Sequence, residues 1–248
     1  APAKLSEAVR DFNGRSLDFV IQLGDLIDGD FQSFHKILPI YQQIQAPTYH
    51  VLGNHDFWVD VEKRKDVVRI LGLEQGYYDF SKRGWRFIVL DGNDLSLYAS
   101  GKEEFRYVQA ETMLSDIEQR GLPQAQGWNG GISDAQLEWL RDRLADALRA
   151  GQRAIVFCHF PVYPTDRHIL WNADTVLAIL EEFPHVVAYI SGHNHAGNYA
   201  QKEGVHYLNL KGMVDTPDRN AYAIIEVYPD YVKVIGKGRE PERFLPLY

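Results

Sequence analysis

Four separated stretches of this 248-residue chain share one design: an apolar run ends on a side chain of the kind that binds metal ions. They are Gly24-Asp25-Leu26-Ile27-Asp28, Gly53-Asn54-His55-Asp56, Cys158-His159-Phe160-Pro161 and Gly192-His193-Asn194-His195. Strand ends in an α/β sheet converge on a shared crevice, so side chains distant in sequence can meet there. Glycine ahead of three of the clusters lets the backbone turn sharply and approach a bound group. Each cluster alone has an ordinary explanation. Gly-Asp after a strand is usually a turn, and a histidine there is more often a hydrogen-bonded structural residue. Two imidazoles one residue apart are a stronger sign, and the four clusters in this order point to a metal site.

The rest of the chain supplies a frame for such a crevice. Leu5, Ala8, Val9 and Phe12 fall at helical spacing. Short β-rich runs at 19–23, 48–52, 77–80, 86–90, 154–158 and 186–190 alternate with helical stretches at 34–44, 61–71, 133–148 and 174–182. Pro39 is expected to kink or split the 34–44 helix. Ser133 and Gln136 have the spacing of a capping box. Three further runs, 205–210, 222–228 and 231–235, have no helices between them and read as antiparallel. Residues 92–131 stand apart, with a charged helical stretch followed by Gly- and Pro-rich sequence, and read as a cap-like insertion in a single domain spanning 1–248. The order suggests an α/β fold of two packed sheets with helices outside.

Composition narrows the partners. A formal net charge of −8 argues against nucleic acid or an anionic membrane surface, whereas metal ions can still supply local positive charge for an anionic small substrate. The single cysteine, Cys158, forms no internal disulfide, sits in a strand-like run and reads as packing; a reducing, cytoplasmic setting fits it. No apolar run is long enough to span a bilayer, and the first residues lack the layout of a signal peptide. No feature specifies an oligomeric state.

The clusters GDLID, GNHD, the strand-borne His159 and GHNH resemble the calcineurin-like metallophosphoesterase superfamily. Further stretches are similar to the manganese-dependent ADP-ribose/CDP-alcohol diphosphatases: WNGGIS followed by QLEWL, HFPVYP, Trp171-Asn172, GHNHAGNY, VHYLNLKGMVDTP, VYPD and KGREP. The resemblance implies a four-layer α-β-β-α sandwich of two mixed sheets. It implies two divalent ions, manganese foremost, with Asp25 bridging them, Asn54, His159 and His193 on one ion and His195 on the other. Mixed oxygen and imidazole ligands suit manganese, iron, zinc or cobalt better than calcium or magnesium. Two such ions can activate a hydroxide for in-line attack on phosphorus. His55 is implied as the group that protonates the leaving oxygen, with Asp28 as its orienting partner. For Asp56, turn chemistry or helix capping is the preferred reading.

The family pattern also includes an earlier strand ending in Asp-x-His or Asp-x-Gln, which completes the second ion's site. Asp30-Phe31-Gln32, Asp134-Ala135-Gln136 and Asp166-Arg167-His168 match that spacing but fall in a loop, a helix start and a loop. The expectation is therefore that the fold here lacks its first strand, which lies upstream of Ala1 in the full protein. Without it the second site keeps only Asp25 and His195 and binds metal weakly.

For the substrate, Trp128, Asn129, Gly130, Tyr163, Trp171 and Asn172 are candidates, because aromatic faces stack nucleobases and asparagine reads their edges. Trp128 and Trp171 fill the core of the cap equally well, and Lys211 either meets a phosphate or is solvated. The expected reaction is hydrolysis of the phosphoanhydride in ADP-ribose or a CDP-alcohol. The alternatives are a phosphodiesterase or monoesterase of the same superfamily, for example on cyclic nucleotides, and a metal-depleted binding scaffold.

Overall fold

The computed structural model describes residues 1–247. The chain opens with helix α1 (Pro2–Asn13), which turns Leu5, Ala8 and Val9 inward, and strand β1 (Val20–Gln22) follows. Helix α2 (Gln32–Tyr41) leads to β2 (Thr48–His50), which pairs in parallel with β1. Pro39 does not split α2, which runs through it. The helix ends two residues later, and the His35 backbone that loses its partner lies on the exposed side.

Helix α3 (Val61–Ile70) precedes the hairpin of β3 (Tyr78–Lys82) and β4 (Trp85–Val89). Helices α4 (Phe105–Gln119) and α5 (Asp134–Arg149) come next, then β5 (Arg153–Phe157), α6 (Ala173–Glu181) and β6 (Val186–Ser191). The tail consists of β7 (Asn198–Lys202), β8 (Val205–Asn209), β9 (Ala221–Val227), β10 (Tyr231–Gly238) and β11 (Arg243–Pro246).

One sheet has the order β3-β4-β5-β6-β8-β7, parallel in its centre and antiparallel at both edges. Its central strands alternate between two cores, as a doubly covered sheet must. Ile88, Ala154 and Val156 face Leu137, Leu140 and Leu144 of α5 and Val176 and Leu180 of α6. Phe87, Val89, Ile155 and Phe157 face Phe19, Ile21, Ala223, Ile225, Val232 and Val234 on the other side. α1 and α2 cover that second layer from outside through Leu5, Val9, Ile37 and Tyr41, with Val20 beneath. The four layers are those of an α-β-β-α sandwich.

The second layer is not one continuous sheet. The β1-β2 pair and the antiparallel trio β11-β10-β9 are separate, and β1 and β9 both line a largely apolar cleft of about 1560 Å³. Its walls include Phe19, Ile21, Leu23, Phe157, Ala223 and Ile225, and it reaches Asp25, His193 and His195.

Two expectations change. Of the three runs expected to be antiparallel, β9 and β10 pair that way, whereas β8 joins the other sheet, where it slots between β6 and β7, parallel to the first and antiparallel to the second. The Ser133–Gln136 pair forms half a capping box. Ser133 Oγ accepts from the Gln136 amide, whereas Ser133 N donates to Asp94 Oδ2 at 3.1 Å. The Gln136 side chain instead binds the Asp91 backbone at 2.8 and 3.0 Å, tying α5 to the end of β4. Within 92–131, α4 packs Ala110, Leu114 and Ile117 against Leu95 and Trp171 in a small core of its own. No helix among the described residues is long and apolar enough to cross a membrane.

Candidate metal centre

The loops after β1, β2, β5 and β6 meet at one end of the sandwich. The Asp25, His159 and His193 ligand atoms lie within 4.8 Å of one another. Asn54 joins them, with its Oδ1 3.1 Å from His159 Nε2. Asp25 (φ 55°) and His193 (φ 67°) both adopt left-handed backbone conformations. Such strain in residues other than glycine concentrates at functional sites. Gly24 and Gly53 permit the crowding: a Cβ on Gly53 would meet Asp25 N and Oδ1 at 2.2 Å, and one on Gly24 would meet His159 Nδ1 at 2.4 Å.

Hydrogen bonding decides which atoms carry protons. His159 Nδ1 lies 2.7 Å from the Leu23 carbonyl, an acceptor, so Nδ1 is the donor and Nε2 presents a lone pair. The Asn129 amide nitrogen donates to the Gln124 and Arg167 carbonyls at 3.0 and 2.8 Å. Its oxygen therefore faces His193 Nε2 at 3.0 Å, which makes Nε2 the donor and leaves His193 Nδ1 bare. That bare Nδ1 is 3.0 Å from His159 Nε2, and Asp25 Oδ2 is 3.3 Å from the same nitrogen. A carboxylate, an amide oxygen and two imidazole lone pairs thus point at each other with no donor between them. A divalent cation satisfies that set, so the residues fit a metal ion.

The electrostatics agree. Burial pushes the Asp25 carboxyl upward, but the charge and hydrogen bond of His159, with the charges of His55 and His193, together outweigh it and hold Asp25 well below the usual carboxylate range. Burial disfavours a proton on His159, yet Asp25 raises its pKa: with no cation, a proton answers the same demand. Burial and then the His159 charge depress His193 strongly, so it stays neutral.

Asp56 is fully buried and caps no helix. Its carboxylate accepts from Gly53 N at 2.9 Å and from Asp25 N and Ile27 N at 3.2 Å each, so it clamps the β1 and β2 loops together. Burial, then the Asp25 charge, raises its pKa. His55 sits above the cluster. Its N–H donates to Asp25 Oδ1 at 2.9 Å, its Nδ1 lies 2.6 Å from Asp28 Oδ1, and its ring packs on Trp58 with centroids 3.9 Å apart.

His195 stands outside the tight group. It is half exposed, lines the cleft, and has Nδ1 3.7 Å from Asp215 Oδ1, while Gly212 leaves room for its ring. The mouth is a cleft of about 360 Å³ over Asp25, Asn54, His55 and His193, with Trp58, Trp128 and His168 in its walls.

Of the six residues expected to meet substrate, Trp128 lines that cleft and the other five do not. Asn129 is buried and bound to His193, and Gly130 is packed against the Gly92 carbonyl. Tyr163 lies against Tyr207, and Trp171 is 2% exposed in the α4 core. Asn172 brackets the Ile132 backbone at 3.1 and 2.8 Å. Trp58 and His168 line the cleft without any sequence expectation. For Trp58 the available signal was its place three residues after His55, one helical turn on. Of the three chance Asp-x-Gln/His matches, Asp166-Arg167-His168 does approach the site: Asp166 accepts from Asn194 at 3.1 Å, on the His193 side.

Comparison with known proteins shows the family. Residues 2–197 match the family described as calcineurin-like phosphoesterase. The manganese-dependent ADP-ribose/CDP-alcohol diphosphatase of Homo sapiens is 30% identical over 97% of this chain and 82% of its own length. The protein of the same name from Arabidopsis thaliana is 30% identical over 95% of this chain and 84% of its own. A dimetal phosphatase from Danio rerio superposes with a TM-score of 0.88 at 25% identity, covering 100% of this chain and 89% of that one. The chain is a metal-dependent hydrolase and belongs to the calcineurin-like phosphoesterase family.

Proposed function

We propose that the enzyme hydrolyses the phosphoanhydride bond of nucleoside-diphosphate-linked small molecules, ADP-ribose and CDP-alcohols, with two divalent ions, manganese foremost. The observation that carries the reading is the convergence of the Asp25, Asn54, His159 and His193 ligand atoms beneath a cleft open to a small anionic substrate. The names of the relatives supply the substrate class.

Asp25, Asn54, His159 and His193 would hold one ion, and Asp25 with His195 would face the second. Bound ions supply positive charge to the phosphate oxygens and make water acidic enough to attack phosphorus. His55 gives its Nδ1 side to Asp28, which leaves Nε2 to pass a proton to the departing phosphate oxygen. Water adds to one phosphorus, the bridging P–O bond breaks, and the products are a nucleoside monophosphate and a phosphorylated sugar or alcohol. Trp58 and Trp128, on the cleft walls, are suited to pack against the nucleobase and the second arm. The segment 92–131 acts as a cap, carrying Trp128 and Asn129 to the site on its own small core. The buried thiol of Cys158 suits a reducing compartment, and the proposed setting is the cytoplasm.

The test compares ADP-ribose, CDP-choline, cyclic AMP and p-nitrophenyl phosphate with Mn²⁺ present. Turnover of both diphosphates well above the other two is expected. Brisk cyclic AMP cleavage with neither diphosphate hydrolysed rejects the proposal.

A further inference from the structure

We infer that Asn129 is a positioning residue for the metal centre: its carboxamide fixes the ring orientation and tautomer of His193, and through it sets the affinity for the divalent ion. The inference rests on the metal-site reading above and goes beyond it, because Asn129 belongs to a different segment and is no ligand.

An asparagine can satisfy a histidine with either end of its amide, so one contact proves little. Here the two donor positions are decided. Both amide protons of Asn129 go to carbonyls that only accept, those of Gln124 and Arg167. The side chain is fully buried, so water offers no alternative. The oxygen is thereby committed to His193 Nε2 at 3.0 Å, and the proton on that bond must come from histidine. Neutral imidazole has one proton, so Nδ1 is obliged to be bare, and Nδ1 is the atom facing His159 Nε2 and the Asp25 carboxylate.

Without this partner, His193 has two ways to lose the arrangement. It can move its proton to Nδ1, which points a donor into the cluster, or it can turn about Cβ–Cγ. Trp128, His168 and Phe160 surround the ring at centroid distances of 5.2, 5.8 and 4.5 Å, but packing does not choose a tautomer. The anchor also reaches Gln124 in its own segment and Arg167 in another loop, so the segment before α5 and the loop after β5 both bear on one ligand. Partners of this kind, holding the far nitrogen of a metal-binding histidine, typically change metal affinity about 10–100-fold when removed.

The experiment is Mn²⁺ titration followed by EPR of the free ion, on the wild-type chain, Asn129→Leu, Asn129→Asp and Asn172→Ala. Asn129→Leu keeps the volume but removes the acceptor, and its affinity is expected to fall about 10–100-fold. Asn129→Asp restores an acceptor and should recover most of the loss. Asn172→Ala loosens the same stretch at Ile132 without touching His193, and should leave affinity within about threefold. Equal loss in Asn129→Leu and Asn172→Ala makes the effect merely structural and overturns the inference, as does unaltered affinity in a folded Asn129→Leu. Should the leucine variant not fold, ¹⁵N spectra of the histidine rings in metal-free wild type decide: Nε2–H on His193 is required, and Nδ1–H overturns it. Failure of wild type to bind Mn²⁺ at all would instead reject the metal-site reading itself.

Discussion

His55 Nδ1 lies 2.6 Å from Asp28 Oδ1, joining the loop after β2 to the loop after β1 across the mouth of the cluster. Asp28 is almost wholly exposed, so the pair contributes little to stability and its value is directional. Replacing His55 with alanine is expected to leave metal content near wild type and to lower kcat by about 10²–10⁴-fold, the range for a lost general acid. Because a departing phosphate is a weaker base than an alkoxide, the loss should be smaller on ADP-ribose than on an alkyl phosphodiester. Asp28→Asn should give a lesser fall in kcat with unchanged metal content. Steady-state kinetics beside elemental analysis check both, and undiminished turnover in His55→Ala removes its assigned role.

Asp25 behaves differently because its carboxylate touches both the cation position and the backbone. It accepts from the His55 amide at 2.9 Å and faces His159 Nε2 at 3.3 Å. Asp25→Ala is expected to bind no stoichiometric Mn²⁺ by inductively coupled plasma analysis and to lose activity with it. Wild-type metal stoichiometry in that variant contradicts a ligand role.

The metal cluster was legible in the sequence because each ligand follows an apolar strand, and strand ends gather wherever parallel strands pack. The alternation of Ile88 with Phe87 and Val89, or of Val156 with Ile155 and Phe157, likewise fixes which face meets which core. What stayed hidden lacks such a pattern. β7 (NYAQK) and β11 (RFLP) are edge strands, too polar or proline-marked to read as β. Trp171 reads as a ligand platform as easily as core, and only its burial against α4 decides. The Asn129–His193 contact spans 64 positions between loops, a distance no local periodicity encodes.

Trp58 is 42% exposed while lining the cleft and leaning on His55. One side of its indole is therefore free for a planar ligand, and stacking of this kind contributes about 1–3 kcal/mol per base. Trp58→Ala should raise KM for ADP-ribose roughly tenfold or more with a smaller change in kcat. The same substitution should barely alter p-nitrophenyl phosphate hydrolysis. A loss confined to kcat, with KM unmoved, assigns Trp58 to holding His55 instead.

His50, at the end of β2, titrates away from the metal ligands. Burial pushes its pKa from 6.5 down to about 4, and Gln22 Nε2 donates to its Nδ1 at 3.3 Å, an arrangement for neutral imidazole. As pH falls below 6.5, the unfolded chain takes up a proton that the folded chain refuses. Folding stability therefore declines between pH 6.5 and about 4 and levels off below that, by about 3 kcal/mol in all. Urea unfolding of metal-free protein at pH 7.5 and 4.5 should show wild type losing about 2–3 kcal/mol more than His50→Gln. Parallel losses in the two proteins exclude the histidine as the source.

Gly53 shows how narrowly the cluster is assembled. Its Cα sits where a methyl group would collide with Asp25 N and Oδ1 at 2.2 Å, and with the rest of that carboxylate at 2.9 Å. Neither side can yield easily, since Gly53 N and Asp25 N are both bound to the Asp56 carboxylate. Gly53→Ala must therefore push Asp25 away from His159, and overpacking of this sort destabilises by about 1–3 kcal/mol. The expected result is a lowered Tm together with lost Mn²⁺ affinity. Gly14, after α1, supplies the comparison: its φ is −78° and its nearest neighbours would lie 3.5 Å from a Cβ. Gly14→Ala should alter neither quantity. If Gly53→Ala binds Mn²⁺ as tightly as wild type, the approach of the β2 loop to Asp25 does not define the metal centre.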